Sequence, residues 1–184
     1  MKNLKEILIS SAALMLIAAI VTAALAGTNA LTKDTIAKLT EEIETAARME
    51  VMDADSFVKG TVTVDGHEQV YYTAYAEKTV VGYVFTTEAV GKSAGLTVMT
   101  GISHLGTITG VKVTEDNETA GYVQKVTKAG LLDSFVGKPA KEMQVGADVD
   151  AVSQATKTSS GICQAVNKAI AGYEAVKEGE ADGK

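Results

Sequence analysis

The chain has 184 residues, a net charge of −6 and a pI near 5.0, enough for one ordinary domain with an appendage and without the basic surface that nucleic acid requires. Its single cysteine, Cys163, excludes an internal disulfide and any protein-only iron–sulfur or four-cysteine zinc site. Only His67 and His104 offer imidazoles, neither stands at metal-ligand spacing, and both read as surface or turn residues.

Residues 7–31 carry no charge, and Leu8, Ile9, Leu14, Met15, Leu16, Ile17, Ile20, Val21 and Leu25 supply the apolar bulk. A membrane span needs roughly 20 such residues, so the stretch reads as one transmembrane anchor. Ala24-Leu25-Ala26 resembles a signal-peptidase site, but the apolar run exceeds the roughly 7–15 residues of a signal core and favours an uncleaved anchor. Lys2 and Lys5 precede the run and Lys33 and Lys38 follow it, a weak bias toward a cytoplasmic segment 1–6 and a domain on the extracytoplasmic side of the cell membrane.

Residues 32–52 read as a juxtamembrane helix. Ile36, Leu39, Ile43, Ala46, Ala47 and Val51 form its apolar stripe, and Glu41, Glu42, Glu44 and Arg48 a solvated face. Asp53-Ala54-Asp55-Ser56 breaks that pattern, and strand-like segments follow at Gln69–Ala76, Val80–Thr86, Leu96–Thr100 and Thr107–Thr114. Residues 102–107 suit a hairpin connection with Gly106 at positive φ, so the strands should form a mainly antiparallel sheet. Tyr71, Tyr72 and Tyr75 are more readily packing residues than the walls of a ligand pocket.

Glu118-Thr119-Ala120-Gly121 places two polar side chains and a flexible glycine in a loop. Val123–Ala129 is ambiguous, Phe135 reads as a core anchor, and Pro139 marks irregular chain. The richest stretch for chemistry is Asp150-Ala151-Val152-Ser153-Gln154-Ala155-Thr156-Lys157-Thr158-Ser159. Ile162, Val166, Ala169, Ile170 and Tyr173 then recur at helical spacing, so the hydroxyl run should lie at a helix N-terminus with Thr158 or Ser159 as cap. Free N–H groups and the helix dipole make such an end receptive to a phosphate, although hydroxyls there are often only caps. Cys163 reads as a buried hydrophobe on that helix, and residues 177–184 as a frayed tail.

The stretch 150–159 resembles the flavinylation motif Asp-x-x-Ser-Gly-Ala-Thr-x-Thr-Ser of the FMN-binding domain family, found in the RnfG and NqrC subunits of ion-pumping respiratory complexes. Glu118-Thr119-Ala120-Gly121 resembles that family's Glu-Thr-Pro-Gly, in the same order along the chain, and residues 131–138 resemble a segment ending in Phe-x-Gly-Lys. Gln154 stands where the family has glycine, Ala120 where it has proline, and Tyr122 where it has leucine.

The resemblance implies an α+β fold, with one N-terminal transmembrane helix before an FMN-binding domain over residues 53–176 whose mainly antiparallel sheet has flanking helices. It implies FMN joined through a phosphodiester to Thr156, installed by a separate flavin transferase. Ser153, Ala155, Thr158, Ser159, Glu118, Thr119 and Gly121 would be the other cofactor-binding residues. Thr158 and Ser159 would meet phosphate oxygens, while Glu118 and Thr119 would face the ring or ribityl chain, the carboxylate disfavouring an anionic reduced flavin. The resemblance is nearer to RnfG, which implies an electron relay between ferredoxin and NAD coupled to sodium or proton movement. Its partners would be the other members of the Rnf complex, including membrane subunits and a flavin-bearing RnfD-like one. No catalytic or metal-ligating side chain is then needed on this chain. The alternatives are a membrane-anchored module that binds flavin or a phosphate ligand outside any redox chain, and a structural protein that has lost its cofactor.

Overall fold

A computed structural model describes residues 2–92, 95–118 and 121–182. Helix α1 (Lys2–Val51) is followed by strands β1 (Ser56–Val64), β2 (His67–Ala76), β3 (Thr79–Val90), β4 (Gly95–Ser103) and β5 (Ile108–Asp116). Helix α2 (Tyr122–Lys128), a 3₁₀ turn at Asp133–Phe135 and helix α3 (Thr156–Asp182) complete the described chain. The chain divides into two units, Met1–Glu44 and Thr45–Lys184.

In the first unit the large apolar side chains from Ile7 to Leu25 are 51–72% exposed. The helix is long and apolar enough to cross a membrane. At about 1.5 Å per residue, residues 7–31 more than cover a hydrocarbon core of roughly 30 Å. Thr28 and Thr32 donate their hydroxyls back to the carbonyls of Ala24 and Thr28, both at 2.9 Å, so neither leaves a donor unsatisfied on this surface. Within the juxtamembrane stripe Ile36, Leu39 and Ile43 are all more than half exposed, while Ala47 and Val51 are buried.

The second unit holds one antiparallel sheet in the order β1-β2-β3-β4-β5, a simple meander. Strand β1 lies ahead of the strand-like segments expected from Gln69 onward. The local signal for it is Asp65-Gly66, whose φ values of 50° and 79° suit a two-residue hairpin turn. Glu77 and Lys78 make the next turn at φ 48° and 72° without a glycine, and the Glu77 N–H donates to Asp55 Oδ2 at 2.9 Å. Gly106, at φ 78°, turns the connection between β4 and β5 as expected.

Both faces of the sheet are covered. On one, Ile162, Val166, Ala169 and Ile170 of α3 close a core with Phe85, Leu96, Val98 and Ile102, and Phe135 anchors its edge with no exposed surface. Cys163 is buried there and Thr87 Oγ1 donates to the Ala165 carbonyl at 2.8 Å. On the other face Ala47, Val51 and Met52 sit on Ala74, Val84 and Met99. Gly101 and Gly110 are register partners beneath that helix end, and a Cβ at Gly101 would lie 2.3 Å from the Val51 carbonyl oxygen. Thr109 Oγ1 donates to the same carbonyl at 2.6 Å and so satisfies an orphan acceptor of the helix terminus.

Two expectations about helix ends are corrected here. Arg48 is 1% exposed rather than solvated, its guanidinium 3.7 Å from the Tyr72 ring centroid, because an arginine plane can stack on an aromatic face once its charge is partnered. Residues 177–182 continue α3 instead of fraying, and the Tyr83 hydroxyl donates to Glu180 Oε1, while residues 183–184 lie outside the described chain.

Candidate functional site at the start of helix α3

A tight turn delivers the chain into α3. The Ala155 N–H donates to the Val152 carbonyl at 3.0 Å, with Gln154 at the third position at φ 65°, as a type II turn requires. That is the place where the resembling family has glycine, so the glycine has a conformational reason and Gln154 adopts the geometry at a cost. The first helical hydrogen bond runs from the Ser159 N–H to the Ala155 carbonyl at 2.9 Å, so α3 opens at Thr156, earlier than a cap at Thr158 or Ser159 would place it. The N–H groups of Thr156, Lys157 and Thr158 therefore precede the ladder.

Ser159 is buried and works inward. Its Oγ accepts from the Val152 N–H and donates to the Ala155 carbonyl, both at 3.1 Å, bracing the turn from inside the first helical turn. Thr158 is also buried, and its hydroxyl donates to Glu118 Oε2 at 3.1 Å. Both hydroxyls donate within the protein, and Thr158 also belongs to the lining of the cavity beside Thr156. The first turn seats on the core through Ala155, 2% exposed, and leaves Thr156 and Ser153 exposed.

Glu118 is likewise turned inward. Its N–H donates to Asp116 Oδ1 at 2.9 Å, an Asx turn that ends β5, and its carboxylate lies against Gly91, where an added Cβ would meet Oε1 at 2.6 Å. It ties the loop after β5 to α3 and is absent from the lining of the adjacent cavity. Thr119 lies outside the described residues. Gly121, at φ 93°, turns the chain into α2 and so delivers Tyr122.

The cavity beside Thr156 has a volume of about 340 Å³ and is lined by Lys92, Tyr122, Gln154, Ala155, Thr156, Lys157 and Thr158. This is within the usual size of a small-molecule site. Two ammonium groups and no carboxylate belong to that lining. Lys92 Nζ donates to the Tyr122 hydroxyl and sits 4.2 Å from its ring centroid, while Lys125 Nζ is 5.9 Å from the same ring and donates to Gln154 Oε1 at 3.0 Å. The hydrogen bond from Lys92, and then the charges of Lys92 and Lys125, hold the Tyr122 phenol below its ordinary pKa. Among the described residues no group of three His, Cys, Asp or Glu could hold a metal.

The helix and the hydroxyl run at its N-terminus are legible in the local sequence, Thr156 is singled out there only by the family resemblance, and the turn before it and the cation–aromatic wall are not legible. Tyr122 stands out there only as a departure from the family's leucine, and no local signal marks Lys92, which arrives from the connection between β3 and β4. The tyrosines of β2 stay out of this cavity. Tyr71 stacks on Phe85 at 5.7 Å between centroids, and Tyr72 lies under Arg48.

This arrangement fits an FMN phosphoester. An exposed hydroxyl opens the helix, N–H groups and Lys157 stand beside it to meet a phosphate, and an aromatic ring stands across the cavity.

The family described as "FMN-binding domain" matches residues 91–171, which takes in the whole cavity lining, and "RnfG N-terminal region" matches residues 1–51. The chain is 31% identical to the G subunit of the Na(+)-translocating ferredoxin:NAD(+) oxidoreductase complex of Acetobacterium woodii, over 88% of each chain. It is 30% identical to the G subunit of the ion-translocating oxidoreductase complex of Methanosarcina acetivorans, over 97% of this chain and 100% of that one. The crystal structure of Shewanella oneidensis NqrC is similar at 20% identity and a TM-score of 0.49, covering 62% of this chain and 66% of that chain. With both matched regions in order and similarity over nearly the full length of two such G subunits, this chain belongs to the RnfG family of ion-translocating oxidoreductase complexes and carries its FMN-binding domain.

Proposed function

We propose that Thr156 carries FMN through a phosphodiester and that the chain is an electron-carrying member of an Rnf-type complex. That complex would couple electron transfer between ferredoxin and NAD to sodium or proton translocation. The observation that carries this function is the position of Thr156, an exposed hydroxyl at the first residue of α3 in a cavity whose titratable lining is cationic or phenolic. Bound flavin supplies reversible electron transfer, and the protein supplies tether, orientation and electrostatics.

Attachment is by attack of Thr156 Oγ on the FMN-side phosphorus of FAD, catalysed by a separate flavin transferase. The new P–O bond replaces the pyrophosphate bond, AMP leaves, and the hydroxyl proton passes to a base of the transferase. Within this chain Lys157 and the three N–H groups of the first turn offset the phosphodiester charge. Ser159 and Glu118 act from behind the cavity lining and Thr158 from within it, together holding the turn that presents Thr156. A covalent tether maintains a high local concentration outside the cytoplasm, where lost cofactor would not be replaced.

Residues 7–31 serve as the single span, with the domain on the extracytoplasmic side of the cell membrane and other Rnf proteins, including an RnfD-like flavoprotein, as neighbours. The charge flanks of the span support that orientation. A second function, a flavin- or phosphate-binding module outside a redox chain, is favoured by the Gln154 side chain in the lining where the family has glycine. Denaturing electrophoresis from the native host separates the two. Flavin fluorescence on this band that is lost in Thr156→Ala supports the first, and a dark wild-type band removes it.

A further inference from the structure

Three separate elements meet at one wall of the cavity. Lys92 comes from the connection between β3 and β4, Tyr122 from α2, and Gln154 from the turn before α3, with Lys125 of α2 beside Tyr122 and outside the lining. Lys92 donates to the Tyr122 hydroxyl, and Lys125, 5.9 Å from the Tyr122 ring centroid, donates to Gln154. This group reaches the support of Thr156 only at the exposed Gln154 side chain, because the turn and the first helical turn are braced from inside by Ser159 and by the Thr158–Glu118 bond. The wall therefore has a role apart from presenting the hydroxyl.

We propose that Lys92 and Tyr122 form the chromophore-side wall of the cavity and, with Lys125 standing beside Tyr122 outside the lining, set the cofactor's reduction potential rather than its attachment. The proposal rests on Thr156 being the flavin-bearing residue. Tyr122 offers a planar face of the kind that packs on another ring system. Two ammonium charges within 6 Å of that ring favour the state of a neighbouring ring system that gains negative charge, so they raise its potential. The Glu118 carboxylate acts in the opposite sense, as it does on the Tyr122 phenol, but there its effect is smaller than those of Lys92 and Lys125, and its Oε2 is held by the Thr158 hydroxyl. Tyr122 shows why leucine is not equivalent here, since only the phenol can hold Lys92 over the cavity through a hydrogen bond.

The experiment uses the full chain made in its native host, as wild type, Lys92→Gln, Lys125→Gln, Lys92→Arg and Tyr122→Leu. Intact mass and in-gel fluorescence report attached flavin, and spectroelectrochemical titration of the same samples reports the midpoint potential. The expected result is undiminished attachment in all variants, with a lower potential in Lys92→Gln and Lys125→Gln. A change of about tenfold in the two-electron equilibrium, about 30 mV, is the scale to look for. Lys92→Arg should restore the wild-type value, and raised ionic strength should shrink the difference. Tyr122→Leu should lower the potential with a changed flavin absorption band. Fully flavinylated Lys92→Gln and Lys125→Gln with unchanged potentials would overturn the proposal while leaving the assignment of Thr156 intact. Loss of attachment in those variants would overturn the division between attachment and tuning. A wild-type chain without flavin would overturn the assignment of Thr156 first, and this proposal with it.

Discussion

Replacing Gln154 by glycine is expected to stabilise the domain, although it deletes a hydrogen-bonded side chain. Gln154 is held at φ 65° by the turn from Val152 to Ala155. A non-glycine residue in that region costs about 1–2 kcal/mol, and glycine gives back about 0.4–1 kcal/mol through the greater freedom of its unfolded chain. The Lys125–Gln154 hydrogen bond is exposed and contributes about 0–0.5 kcal/mol. Taken at their midpoints the terms favour glycine by about 0.5 kcal/mol, or about 1–2 °C in Tm for a unit of this size. Thermal and urea denaturation of the full chain in detergent would measure it, with Gln154→Ala as the reference that loses the side chain but keeps the strain, and Gln154→Val as the most strained member. The expected order is Gly above Gln, Gln at or slightly above Ala, and Val lowest. If glycine and alanine proved equally stable, positive φ at this residue would not be what the turn demands, and the conformational reason for the family's glycine would fail. Glycine should also admit flavin at least as well, read as in-gel fluorescence per chain.

Gly101→Ala should cost at least about 2–3 kcal/mol, because its Cβ would strike the Val51 backbone, which cannot move without lifting the helix end from the sheet; chemical denaturation would show it, and a neutral result would mean that the helix end does not rest there. Thr158→Val keeps the shape but removes the donor to a buried carboxylate, and should cost about 1.5–3 kcal/mol, with Glu118→Gln partly restoring stability in the double variant. The end of α3 should loosen at both extremes of pH. Hydrogen bonding from Tyr83 chiefly holds Glu180 below its ordinary pKa of 4.5, so the stability it contributes is present above that value and is lost as pH falls through the lower folded value. Burial, followed by the same bond, raises the Tyr83 phenol above 10.0, so its contribution is full below that pH and is lost as pH rises through the raised value. Tm against pH for wild type, Glu180→Gln and Tyr83→Phe would test this: the first variant should flatten the acid limb and the second the alkaline limb.

The parts of the candidate site that can be read along the chain are those written within one helical turn or one strand. Ile162, Val166, Ala169, Ile170 and Tyr173 recur at three and four, and all five lie on the buried side of α3. The helix start is earlier than its hydroxyls suggest, because serine and threonine before an apolar repeat look like caps whichever way they point. Here the positive φ of Gln154 ends the turn early enough for the helix to open at Thr156. Strand β1 is hard to see in the sequence because its exposed and half-buried residues lack a continuous apolar run, the weak pattern of an edge strand. Arg48 looks solvated because charge on a helix usually means solvent, and no local feature announces that Tyr72 will lie beneath it.

Backbone propensity and hydrophobic period act over neighbouring residues, so the apolar first helix, the antiparallel segments and a threonine at the head of a long helix were legible from residue order alone. The groups that surround that threonine were not, because they come together only when distant segments pack. Glu118 is drawn inward by Thr158 across 40 residues, and Lys92 meets Tyr122 across 30. Coulomb and hydrogen-bond energies depend on distance in space, which the fold sets, so the same local motif could have faced a carboxylate and instead faces the Lys92 ammonium.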